Sequence, residues 1–161
     1  PEIFVETFDD SNGFALGLSY IPTRALGPKT RTDTKTDGGG EAGDYKAEAD
    51  FDNVMQVYMD IPVIGGTYPI HLKAGIQHVT VKTKESLNSG STYPDKDIFG
   101  VTVGLGTKGD FPFVSNMYYK AEVTYTDFEN YEASSVASEG ANTVVADFDD
   151  TAVKLSLGYK F

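Results

Sequence analysis

Apolar and polar residues alternate with period two along most of this chain, and that period belongs to β-strands with two unlike faces. At the C-terminal end Val153, Leu155, Leu157, Tyr159 and Phe161 share one face, and Lys154, Ser156, Gly158 and Lys160 share the other. Tyr119, Ala121, Val123 and Tyr125 alternate with Lys120, Glu122, Thr124 and Thr126. Phe99, Val101, Val103 and Leu105 alternate with Gly100, Thr102, Gly104 and Gly106. Ile70, Leu72, Ala74 and Ile76 alternate with His71, Lys73, Gly75 and Gln77. Residues 46–61 set Ala47, Ala49, Phe51, Met55, Val57, Met59 and Ile61 against Lys46, Glu48, Asp50, Asp52, Gln56 and Asp60. Phe14, Leu16, Leu18 and Tyr20 alternate with Ala15, Gly17 and Ser19, and Ile3, Val5 and Thr7 make a short first strand. The reading is thus seven strands.

The connections come in two sizes. Asp9–Gly13, Pro62–Tyr68 and Lys108–Ser115 are short and carry turn residues, such as Gly65-Gly66 and Gly109-Asp110. Thr23–Asp44, Glu85–Asp97 and Phe128–Asn142 are long, polar stretches expected to be loops. Short and long connections alternate strictly, as in an up-and-down antiparallel barrel with tight turns at one end and long loops at the other.

Composition narrows the function classes. Thirteen Lys+Arg against 24 Asp+Glu give a net charge of -11, which repels nucleic acid and anionic surfaces. There is no cysteine, hence no disulfide framework or thiolate chemistry. No stretch approaches the ~20 consecutive apolar residues of a membrane-spanning helix, a test that alternating barrel strands do not register.

Two barrels fit this pattern. A soluble lipid-binding barrel turns its apolar face inward, and an outer-membrane barrel turns it outward. The polar face favours the second. It is rich in small residues (Gly17, Ser19, Gly100, Thr102, Gly104, Gly106, Ser156, Gly158), which suit a narrow interior. Its charges are of both signs, so Glu48, Asp50, Asp60, Lys73, Lys120, Glu122 and Lys154 are expected to form a network in the lumen. Phe14, Tyr119 and Tyr159 lie near the short turns, while Tyr20, Phe51, Phe99 and Tyr125 lie toward the long loops, as two aromatic girdles would.

The ending Leu155-Ser156-Leu157-Gly158-Tyr159-Lys160-Phe161 resembles the last strand of Gram-negative outer-membrane proteins, which close on a C-terminal Phe preceded by alternating apolar or aromatic residues. The chain length resembles the eight-stranded family that includes the OmpA transmembrane domain, the opacity proteins and OmpW. The resemblance implies an all-β, antiparallel transmembrane barrel formed by one domain, residues 1–161, in the bacterial outer membrane. Its surroundings would be outer-membrane lipid and lipopolysaccharide. Leu155, Leu157, Tyr159 and Phe161 would be the signal read by the barrel-assembly machinery. Such barrels have an even strand number with both termini periplasmic. Seven strands therefore imply an eighth, expected before Pro1.

Chemistry-bearing motifs are sparse. Glu48, Asp50 and Asp52, or Asp147, Asp149 and Asp150, could attract a cation but lack the spacing of a calcium loop. His71 and His78 fall on opposite faces by parity and cannot share a metal. No nucleophile, base and orienting group come together in sequence, so neither enzyme activity nor a cofactor or metal is expected. The expected role is structural or surface-interacting, through the long loops. A narrow porin-like channel is the alternative within the membrane, and the lipid-binding barrel is the alternative outside it.

Overall fold

The computed structural model describes residues 1–9, 11–33, 43–66, 69–86, 92–135 and 143–161. Among them every regular element is a strand: β1 Ile3–Phe8, β2 Ala15–Asp33, β3 Gly43–Ile64, β4 Ile70–Ser86, β5 Lys96–Asp110, β6 Met117–Phe128, β7 Tyr131–Ser134, β8 Thr143–Ala146 and β9 Asp149–Tyr159. Seven of them form one antiparallel sheet in the order β1-β2-β3-β4-β5-β6-β9, and β7 and β8 make a separate hairpin. The sheet curls into a half-barrel, with Glu2 before β1 meeting Lys154 of β9 at 2.9 Å.

The faces are assigned by exposure. One row across five strands reads Val5, Leu18, Val57, Ile76 and Val101, each in register with the next. The row beneath joins Ile61, Leu72, Leu105, Val123 and Val153. All of these lie on the convex face and are exposed. The concave face buries Asp60, His71, Lys73, Lys120 and Glu122. The apolar side of the alternation therefore points outward.

The first turn forms where the sequence places it, while β3 runs on to Ile64 and β5 to Asp110, into the stretches expected as the second and third turns. Between β1 and β2 the Asp9 carboxylate accepts the Ser11 hydroxyl at 2.6 Å, the Ser11 amide at 3.0 Å and the Asn12 side-chain amide at 2.7 Å. The Ser11 bonds, chiefly that of the hydroxyl, hold this carboxyl below its ordinary range. Gly13 closes the turn at φ 79°, a conformation natural to glycine.

Three expectations need correction. First, 23–44 is not all loop: β2 runs to Asp33 and β3 starts at Gly43. The strands continue with both faces polar, so the alternation that marks them disappears while Thr-rich β-propensity remains. Residues 34–42 lie outside the described residues. Second, 128–142 holds β7, which pairs with β8 just beyond it, from Tyr131↔Ala146 to Ser134↔Thr143. Third, Phe51 is buried in the interior rather than part of an outer girdle. Asn53, at φ 52°, inserts a bulge that shifts the β3–β4 register between Asp52 and Met55 and inverts the parity before it.

Glycines on the concave face stand under large side chains. A Cβ on Gly17 would come 2.3 Å from the Tyr58 ring, and one on Gly158 2.2 Å from the Tyr118 ring. A Cβ on Gly65, in a turn, would meet nothing within 4 Å. Gly17→Ala and Gly158→Ala are each expected to cost about 1–3 kcal/mol through overpacking. Gly65→Ala should stay within roughly 0.5 kcal/mol. Denaturant midpoints measure the difference, and equal effects at all three sites would contradict the placement of the two tyrosines.

Candidate functional site

The interior is layered along its axis. Nearest the short turns is a charged layer built by register. Asp60 of β3 lies opposite Lys73 of β4, and Lys120 and Glu122 come from β6. His71 of β4 and Glu122 face each other from either side of Gly106 on β5. With no Cβ at Gly106, the two side chains meet across the intervening strand: a Cβ there would stand 2.6 Å from His71 Nε2 and 2.8 Å from Glu122 Cγ. Glu6 of β1 and Tyr58 of β3 meet over Gly17 in the same way.

Within this layer Lys120 Nζ donates to Asp60 Oδ2 at 2.7 Å, bonds Glu6, and lies 3.4 Å from Glu122 Oε1. Lys73 Nζ lies 3.1 Å from Glu122 Oε1 and 3.2 Å from the centroid of the Tyr58 ring. Asp60 Oδ1 meets Lys73 at 3.2 Å, off the hydrogen-bonding direction. Tyr58 and Tyr118 donate their hydroxyls to Glu6 at 2.6 and 3.3 Å. His71 Nε2 lies 3.1 Å from Glu122 Oε1 and 3.7 Å from Asp60 Oδ2. Carboxylates only accept, so this nitrogen carries the ring hydrogen. Glu6, Asp60 and Glu122 thus face Lys73, Lys120 and an imidazole, all nearly free of solvent.

Above it lies a neutral polar layer. Gln56 donates to Thr102 at 2.8 Å, Thr102 and Thr126 share a 2.8 Å bond, and Thr126 donates to Gln77 at 3.4 Å. Higher still is the apolar core of Phe51, Val54, Val79, Val81, Ile98, Phe128, Tyr131 and Ala133. On the turn side a cavity of about 400 Å³ opens between Phe8, Gly13, Lys108, Tyr118 and Lys160.

Asp60, Lys73, Lys120 and Glu122 therefore come together as the sequence suggests, while three other expected members do not. Lys154 faces inward but pairs with Glu2 at 2.9 Å, apart from the network. Glu48 pairs with Lys46 at 3.1 Å in the long-loop half of β3. Asp50 binds Lys84, and the bulge at Asn53 leaves it on the face opposite Phe51. Asp52 takes Lys82 at 2.5 Å, and Asp150 takes Arg24 in a two-pronged contact at 2.5 and 2.6 Å. The first acidic cluster is thus paired with lysines of the chain itself, and Asp150 of the second with Arg24. Leu155, Leu157 and Tyr159 lie on the convex face, and the Tyr159 and Phe161 rings meet edge to face at 5.4 Å.

Sequence reasoning about the network missed His71, Tyr58 and Tyr118. Parity alone locates them, since Tyr58 stands two residues from Asp60, Tyr118 two from Lys120 and His71 two from Lys73. Asp60, His71 and Glu122 each present a ligand atom within 4.8 Å of the others, a set that could hold a metal. The Lys73 and Lys120 ammonium groups already occupy the positions a cation would take. The arrangement is a buried ion-pair network. Comparison with family models, curated proteins and solved structures returns no match.

Removing one buried partner strands the others. Lys120→Met should cost about 3–5 kcal/mol of stability. Lys160→Met, which frees the exposed Asp110 from an exposed lysine, should cost no more than about 1 kcal/mol. Equal losses in chemical unfolding would contradict a buried network.

Proposed function

We propose that this chain is an outer-membrane β-barrel protein of the small, eight-stranded kind, with a structural or surface-interacting role. The observation that carries the reading is the inside-out distribution of side chains. The convex face is apolar across all seven strands of the sheet, with Val57 53%, Val101 62% and Val153 76% exposed, while charges fill the concave side. In water this would be an apolar surface far larger than soluble monomers display. In lipid it is the required one. A soluble lipid-binding barrel needs the opposite arrangement.

The two ends suit different surroundings. Tight turns gather at one end. At the other, β2 and β3 continue for 19 and 22 residues, and the β7–β8 hairpin stands beside them. At ~3.3 Å per residue β3 is roughly 70 Å long, well beyond a ~25 Å apolar band. The surplus is a polar β-structure for contacts outside the membrane. The reading disfavours a conducting role, because charged, hydroxyl and apolar side chains succeed one another along the concave side and would plug a lumen there.

Two measurements test this. The purified chain should float with lipid vesicles after alkaline washing and give no steady conductance steps in planar bilayers. Val57→Lys should cost about 2–4 kcal/mol in vesicles if Val57 sits near the bilayer midplane, whereas at an exposed site in water it should cost less than roughly 0.5 kcal/mol. Failure to float, together with a neutral Val57→Lys, would contradict the membrane reading. Steady conductance would contradict the plug.

A further inference from the structure

We propose that the cavity at the short-turn end of the concave side is a binding site for a small soluble anion, a carboxylate or a phosphate, held by Lys108. Three observations carry this. First, Lys108 is half-buried and pairs with no carboxylate among the described residues. The other buried or half-buried basic side chains described, Arg24, Lys73, Lys120 and Lys154, each meet at least one. The Lys108 ammonium donates instead to the Gly13 carbonyl at 3.0 Å and stands 4.6 Å from the centroid of the Phe8 ring. An ammonium has three hydrogens to give, and the carbonyl takes one. Second, Lys108 lies opposite Lys120 in the β5–β6 register, and like charges facing each other across a strand pair repel. Lys120 and Lys160 both act against its charge. Asp60 and Glu6 act in its favour from a distance, while they are in contact with Lys120. Third, Lys108 borders a cavity of about 400 Å³ whose walls include Gly13, Gly66 and Gly109, which have no side chain to fill it.

Two acids also border this cavity, and both are committed elsewhere. Asp9 accepts from Ser11 and Asn12 within its own turn, and Asp110 takes Lys160 at 2.6 Å. What the cavity leaves open is therefore a cation without an acceptor. A carboxylate or phosphate oxygen would take the hydrogens that the Gly13 carbonyl leaves, and its charge would offset the repulsion from Lys120 and Lys160. Hydrogen bonds between two charged groups are about twice as strong as neutral ones. The volume lies toward the lower end of the roughly 300–1,000 Å³ of small-molecule sites, which suits a small molecule and not a polymer. The cavity opens on the concave side, away from the apolar rows of the convex face, so its ligand comes from water rather than from a lipid layer.

Magnetic resonance titration of the full chain in uncharged detergent micelles tests this, with carbon-13 at the lysine ε-carbons and in the tyrosine rings. Acetate, inorganic phosphate and glycerol 3-phosphate are each added at constant ionic strength, with sodium chloride as the reference. At least one should shift the Lys108 signal saturably, with half-saturation at about 1–10 mM. The exposed Lys96 of the same strand should move no more than it does in sodium chloride. The Tyr118 ring, which borders the same cavity, reports on the variants. Lys108→Gln should weaken its response about tenfold or more through loss of a charged hydrogen bond. Lys108→Arg should keep the response, and Lys96→Gln should leave it unchanged. The absence of a saturable Lys108 shift with all three anions would overturn the proposal, whether or not the variants fold. An unchanged Tyr118 response in a folded Lys108→Gln would overturn it too, by leaving Lys108 a purely structural role. So would a response to short-chain phosphatidic acid alone, which would make the ligand a lipid.

Discussion

A side chain that passes over a glycine to touch the strand beyond is the contact on which the rest of this interior depends. Neighbouring strands stand about 4.8 Å apart, so side chains on strands two apart ordinarily pack against the one between. Gly106 removes that obstacle for His71 and Glu122, Gly17 for Tyr58 and Glu6, and Gly158 for Tyr118. Each glycine turns a spacing that separates charges into one that pairs them. These cross-strand reaches tie β6 and β9 to the β1 side of the curled sheet.

The energetics explain why the network is complete. A buried ion costs several kcal/mol to desolvate, and a network gains on its alternatives only when each member finds partners. Lys120 therefore contacts three carboxylates, and Lys73 touches two and the Tyr58 ring face. The polar layer of Gln56, Thr102 and Thr126 then grades the interior toward the Phe51 core. The sequence of layers fills the concave side by type of contact.

Much of this was legible in the residues themselves. Strict alternation in 99–106 and 119–126 assigned strand, face and register partner type together. Lys73, Lys120, Asp60 and Glu122 were accessible by parity because the β3–β4 register runs unbroken from Met55 to Pro62 and the β5–β6 register has no shift. The failures have one local cause and one general cause. The bulge at Asn53 inverts the faces of residues before it, which misplaced Phe51 and Asp50, and an αL asparagine in a strand is not announced by composition. The long arm of β2 and the first three residues of β3 escaped because period two records unlike faces, and residues 23–24 and 29–33 are polar at successive positions. His71 and Tyr58 carry no formal charge that would mark them as members of an ion-pair layer, and only their parity with Lys73 and Asp60 places them in it.

The most direct test of the account follows residues 153–157 of β9, one at a time. The chain has no cysteine of its own, so single cysteines at each position can carry a nitroxide label in lipid vesicles. Collision with oxygen, which concentrates in lipid, and with a water-soluble nickel chelate then reports the surroundings of each site. The account predicts period two: labels at Val153, Leu155 and Leu157 relaxed by oxygen and shielded from nickel, and labels at Lys154 and Ser156 shielded from lipid. Nickel access at Val153, Leu155 and Leu157 equal to that of an exposed turn such as Gly65 would contradict it.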